Sequence, residues 1–360
     1  MADLLRMLTC SVHPLPYLAN PADYFSAIRN APGAVLLDSG RPTADRGRFD
    51  LMSAWPEAEL TLQPDESGRD FLQRLREGLK QLGAASLPDE YELPFAGGLI
   101  GYLSYDFGRQ LEQLPANARD DLHLPEAQLG LYAWALISDH YAATSQLVFH
   151  PSLETAERQR LIQLFSQPAP SHNKPFNLKQ PMQPDISASQ YQQALEQIHR
   201  YIQAGDCYQV NYTQRFSGQC EGDAWSAYGA LRAACPTPFS GFMSLAGDNA
   251  ILSLSPERFV RISQNQVETR PIKGTRPRGK DSREDAANAA ELLASPKDRA
   301  ENLMIVDLLR NDLGRTCRTG SVSVPQLFTL ESYPNVHHLV SSVIGELADG
   351  KDALDLIGDS

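Results

Sequence analysis

Five prolines fall in the stretch 166–185, SQPAPSHNKPFNLKQPMQPD. Each fixes φ and removes a backbone N–H, and the other residues are mostly polar, so this stretch can neither continue a helix nor fill a core. It reads as a connector, with a first half at 1–165 and a second at 186–360. A chain of 360 residues accommodates two or three domains of the usual ~100 to 200 residues.

Before the connector, AVLLDS (34–39), GGLIGYLSYDFG (97–108) and GLYAWALIS (130–138) are short apolar runs between Pro, Gly and Asp, which predicts a sheet-rich half. After it, Tyr191, Leu195, Ile198 and Ile202 recur at helical spacing and Gly205 supplies a stop. LSLSPERFVRI (252–262) begins with strict alternation and QVETRPIKG (266–274) carries Val267, Thr269 and Ile272, the pattern of strands. Two helices follow, one over 281–293 with an acidic first turn and one from Ser295-Pro296 to near Gly314. Strands and helices in blocks, without regular βαβ alternation, predict an α+β fold.

Composition narrows the function. The 44 acidic residues outnumber the 32 basic ones, for a net charge of −12, which argues against a general nucleic-acid or anionic-membrane binder. No run approaches the ~18 apolar residues of a membrane span, and no apolar signal core follows the first residues. Cys10, Cys207, Cys220, Cys235 and Cys317 form no C-x-x-C pair and read as reduced thiols, so a cytoplasmic protein is expected.

Three segments concentrate ionisable groups in apolar or rigid surroundings: Glu257 in SPERF, Lys273 in RPIKGT, and Glu301 in KDRAEN ahead of the apolar LMIV. A hairpin over 252–274 turning around Gln264, Asn265 and Gln266 sets Glu257 opposite Lys273, their Cβ atoms ~5 Å apart. That pair is either a surface salt bridge or a site in which a lysine attacks carbon while a carboxyl protonates a leaving hydroxyl. Pro256 and Pro271 imply an opening at the strand edge, and Gly274-Thr275 allows close backbone approach to a ligand. Glu301 is either an exposed helical carboxylate or one of the one or two carboxylates that Mg²⁺ prefers beside water and substrate oxygens. The basic run Arg276, Arg278, Lys280 and Arg283 is a solvated loop or a substrate-steering patch.

SPERF, TRPIKGT, SPKDRAENLMIVDLLRNDLGR and NVHHLVSSV, in this order, together with LLDSG (36–40), RFD (48–50) and GDCYQVN (205–211), resemble the chorismate-utilising enzymes, and among them the large subunits of aminodeoxychorismate synthases. The resemblance implies large, mostly antiparallel sheets packed as a sandwich with helices outside. It also implies conversion of chorismate and ammonia to 4-amino-4-deoxychorismate on the route to 4-aminobenzoate and folate. By position, Lys273 would be the nucleophile on the chorismate ring, Glu257 the acid and later the base, and Glu301 a Mg²⁺ ligand. Gly274, Thr275 and His338 would contact substrate. Anthranilate synthase large subunits carry Ala where this chain has Lys273, so that relative is the alternative.

The resemblance also implies a separate glutaminase partner delivering ammonia, and the assembly would be a heterodimer. Relatives also hold a tryptophan in the first half. The matching positions are Ser39, Arg46, Gly47, Arg48, Phe49, Pro238, Phe239 and Ser240, with plain core packing the other reading. The family continues beyond the position of Ser360 into a glycine-rich segment carrying a second Mg²⁺-binding Glu, which leaves an inactive tryptophan- or partner-binding fragment as a further expectation.

Overall fold

The structure, a computed structural model, describes residues 8–43, 47–117, 119–166 and 174–359. The chain divides into two compact units, Met1–Ser171 with Leu231–Ser360, and His172–Ala230. In the first, the strands that matter are β1 Ser11–Leu15, β2 Val35–Asp38, β3 Phe49–Ser53, β4 Trp134–Asp139, β5 Thr144–Phe149, β6 Phe239–Ser244 and β7 Ala250–Ser255. They are followed by β8 Arg261–Ser263, β9 Gln266–Thr269, β10 Ile272–Pro277, β11 Ser323–Ser332 and β12 Val336–Glu346. The helices of this unit include α1 Gly68–Leu82, α2 Ser282–Ala294, α3 Pro296–Thr316 and α4 Ala353–Asp359.

A seven-stranded antiparallel sheet runs in the order β7-β6-β2-β3-β4-β5-β1. It joins strands from before the proline-rich stretch with β6 and β7 from after it. Val35, Leu51, Ala135, Ile137, Val148 and Met243 form its buried face together with Cys10, Ile100 and Tyr132. A second, five-stranded sheet centres on β12, which pairs with β9, β10 and β11, while β8 borders β9. Val267 and Val343 of this sheet pack on Val306 and Leu313 of α3 and on Leu356 of α4. Two large antiparallel sheets with helices laid against them form the α+β architecture expected from the sequence.

Sequence signals set the helix ends. Ser295 caps α3 by accepting from the Asp298 N–H, and Pro296 occupies the first turn, where a missing N–H costs nothing. Asp281 caps α2 by accepting from the N–H groups of Arg283 and Glu284. In the second unit, the helix Ala188–Ala204 ends at Gly205 as its spacing predicts, and Ser187 and Gln190 form a capping box at its start. Its apolar stripe is only partly covered: Tyr191, Leu195 and Ile198 are half-buried and Ile202 is exposed.

Candidate active site

The hairpin that carries the first two ionisable segments is shorter than the sequence suggests, and its register differs by one residue. The turn is Gln264-Asn265, both at positive φ, so Arg261 pairs with Glu268 and Ser263 with Gln266. Such a two-residue loop with both residues left-handed matches the twist of its strands, whereas the three-residue turn assumed from the sequence does not form. Carried four residues outward, this register sets Glu257 level with Ile272, not Lys273. The ladder itself stops at the Arg261–Glu268 pair, and the preceding strand, β7, pairs with β6 instead of β10. Glu257 is therefore not the direct cross-strand partner of Lys273.

Both residues instead bond the backbone of Ile272. The Ile272 N–H donates to Glu257 Oε1 at 2.7 Å, which fixes the carboxylate beside the residue before the lysine. Glu257 is exposed and Lys273 is half-buried, its ammonium 3.2 Å from the Ile272 carbonyl. Carboxylate and amine thus bond the N–H and the C=O of one residue, Ile272, with the polar ends of both turned to the same short segment.

Beyond Lys273 the strand bulges. Ile272 pairs with Val340 and Thr275 with His338, with the register shifting between them. Gly274 takes up the irregularity at φ +91°, and a Cβ there would lie 2.9 Å from the Asp298 Cβ and 2.9 Å from a Leu292 methyl. The bulge brings β10 into direct contact with α2 and α3, where no side chain at 274 fits. Across the pair, Thr275 Oγ1 is 2.9 Å from His338 Nδ1. His338 is 8% exposed; burial lowers its pKa, opposed by the charges of Glu257 and Glu331 and by a bond to the Gly274 carbonyl.

Helix α3 brings up the third segment. Asp298 packs on Gly274 and accepts from Arg276 at 3.0 Å. Asn302, fully buried, donates to the Leu339 carbonyl at 3.3 Å and accepts from Ser341 Oγ at 2.6 Å. Glu301 lies between these two anchors on α3, half-buried, one turn from the residue that touches Gly274. Among the described residues no three His, Cys, Asp or Glu side chains gather into a metal-holding cluster. Glu301 is of the chemical type Mg²⁺ takes, one or two carboxylates with the rest of its shell left to water and substrate.

The basic run after the site is not a free solvated loop. Arg276 pairs with Glu291 and Asp298, and Arg278 pairs with Asp285, so these two cations tie β10 to α2 and α3. Asp285 also accepts from the Gly279 N–H and from His337, and this set of donors holds its pKa well below the usual carboxylate range.

A cavity of about 690 Å³ opens between the two sheets. All seven described residues of the aromatic-pocket set, Ser39, Gly47, Arg48, Phe49, Pro238, Phe239 and Ser240, line it; Arg46 lies outside the described residues. Glu257 and Ile272 line the same cavity, whereas Lys273, Gly274, Thr275, His338 and Glu301 are not part of its wall. The sequence reading missed the buried network behind Ser39. Asp50, 0% exposed, accepts from both the Ser39 N–H and Oγ, at 2.8 and 2.7 Å. Its other oxygen is 2.6 Å from His140 Nε2, and His140 Nδ1 is 2.8 Å from the Tyr17 hydroxyl. An acid between apolar residues in the FDLMS strand was the available signal, since a buried carboxylate requires partners. Arg48 at the rim bonds Asp139 and Glu92, and Asp139 in turn has a depressed pKa held down by Arg48 and by the Tyr141 and Ala142 N–H groups against the opposing effect of burial.

Comparison with known proteins gives the family. The profile of the family described as "chorismate binding enzyme" matches residues 33–360. "Aminodeoxychorismate synthase component 1" of Salmonella typhimurium is 41% identical over 366 residues, covering 98% of this chain and 79% of that protein. "Anthranilate synthase component 1" of Mycolicibacterium smegmatis is 32% identical over 379 residues, covering 93% and 70%. Among solved structures, anthranilate synthase component I from Streptococcus pneumoniae superimposes with a TM-score of 0.72 at 28% identity, covering 87% of this chain and 72% of that one.

Proposed function

The chain belongs to the chorismate binding enzymes, and from that premise we propose that it is the chorismate-converting component of an aminodeoxychorismate synthase. The observation that carries the reading is that the Glu257 carboxylate and the Lys273 amine are each bonded to the backbone of Ile272, in a chain 41% identical to a protein of that name over 98% of its length. Anthranilate synthase is the weaker reading, at 32% identity to a relative of that name.

In this reaction the lysine lone pair adds to the chorismate ring as the ring double bonds shift, and the C4 hydroxyl leaves as water with a proton from Glu257. Ammonia then attacks C4, the double bonds shift back, lysine departs, and Glu257 takes the proton that the new amine releases. The Ile272 N–H holds the carboxyl in place for both transfers. Thr275 and His338 border the substrate beside the Gly274 bulge. Glu301 would hold Mg²⁺, which when bound would offset the negative charge of the substrate. The cavity behind Ser39 accommodates a tryptophan, a reading supported by its aromatic wall of Phe49 and Phe239.

Ammonia comes from a glutaminase partner, a reading supported by the relatives' designation as "component 1", and the reduced thiols suit a cytoplasmic setting. Among the described residues no helix is long and apolar enough to cross a membrane. The test is incubation of the protein with chorismate, Mg²⁺ and ammonium. Formation of 4-amino-4-deoxychorismate supports the reading, and fluorescent anthranilate in its place overturns it.

A further inference from the structure

His338 touches more than Thr275. The Tyr333 ring meets the imidazole edge to face, with centroids 5.4 Å apart and planes at 66°. Tyr333 is itself anchored, its hydroxyl donating to Glu331 Oε2 at 3.0 Å, while Arg270 bonds the other carboxylate oxygen. Tyr333 and Glu331 both line the cavity, so one side chain contacts the cavity on one side and His338 on the other.

We propose that Tyr333 is a positioning residue for His338, pinned by Glu331 and pressing the imidazole onto Thr275. On its face of the strand the His338 side chain can take either of two common χ1 rotamers, and the bond to Thr275 alone leaves the ring free to swing about it. The edge-to-face contact closes that freedom, and the phenol bond to Glu331 keeps the tyrosine from following the histidine if it moves. With the ring fixed against Thr275, its two nitrogens meet different surroundings and one tautomer is favoured. The catalytic consequence rests on the reading of His338 as a substrate neighbour. The positioning itself does not.

The experiment is ¹⁵N spectroscopy of histidine-labelled protein without substrate, on the wild type, Tyr333→Phe and Tyr333→Leu, with each fold checked by circular dichroism. Wild type should give His338 as a single tautomer. Tyr333→Leu should give a mixture of both, and Tyr333→Phe, which keeps the ring and loses the phenol bond, should stay closer to the wild type. With chorismate and ammonium, kcat/KM of Tyr333→Leu should fall roughly 10- to 100-fold, the scale of a slightly misplaced group, with substantial recovery in Tyr333→Phe. A single unchanged tautomer in Tyr333→Leu overturns the proposal. Failure of turnover in the wild type counts instead against the enzymatic reading and leaves the tautomer result decisive for Tyr333.

Discussion

Replacing Gly274 by alanine strains the site in two separable ways. The backbone sits at φ +91°, where a Cβ costs about 1–2 kcal/mol against the left-handed preference of L residues. The new methyl also meets Asp298 Cβ and Leu292 Cδ1, each at 2.9 Å, and Asp298 Cγ at 3.1 Å. The leucine methyl can rotate aside, but the Asp298 Cβ is one bond from the α3 backbone, so relief requires the helix to move or Asp298 to release Arg276. Overpacking of this kind costs about 1–3 kcal/mol, giving a total of roughly 2–5 kcal/mol. Gly350→Ala is the control, because Gly350 has φ +79° and nothing within 4 Å of an added Cβ; only the backbone penalty of about 1–2 kcal/mol applies there. Urea unfolding of both variants measures the two costs, and their difference is the packing cost at β10. The same displacement carries α3, and with it Glu301, away from Lys273, so Gly274→Ala should also lose chorismate turnover while Gly350→Ala keeps it. Equal destabilisation by the two substitutions would refute the close packing of β10 on α3.

Glu257→Gln keeps an acceptor for the Ile272 N–H but cannot protonate the leaving hydroxyl; kcat should fall about 10²- to 10⁴-fold, the usual contribution of a general acid, with stability unchanged by thermal unfolding. Asp50→Ala removes the acceptor for both Ser39 donors and for His140, and each buried group left unpaired costs about 1–3 kcal/mol. A lowered unfolding midpoint together with weaker tryptophan binding by calorimetry is expected. Asp352 is held by Arg76 at a pKa of about 2, below its ordinary 3.8. Its stabilising effect is therefore present above pH 3.8 and is lost as pH falls toward about 2. Acid unfolding of Arg76→Ala should show a shallower loss across that window than the wild type.

The helices were the most legible part of the chain, because their signals are local. Ser295-Pro296, Asp281 and Gly205 act through bonds within a turn of themselves, and the observed helices begin and end at them. Strand partners were less legible. Nothing near residues 252–255 indicates that their strand pairs with 239–244, and the proline-rich stretch does not reveal that the seven-stranded sheet draws strands from both sides of it. The register around Glu257 depended on whether the turn takes two residues or three, and Gln264 and Asn265 both adopting positive φ decided it. The candidate residues were all identifiable as types, but their contacts were not. The bond from the Ile272 N–H to Glu257, the seat of Gly274 under Asp298, and the Asp50–His140 network behind Ser39 all join residues distant in sequence.

The account stands most directly on the amine at position 273. Protein incubated with chorismate and Mg²⁺ but no ammonia, then quenched, digested and analysed by mass spectrometry, should carry on the Lys273 peptide a mass increase equal to chorismate less one water. Lys273→Ala should carry none. A wild-type Lys273 that stays unmodified while the same preparation converts chorismate on addition of ammonium would contradict the lysine as nucleophile.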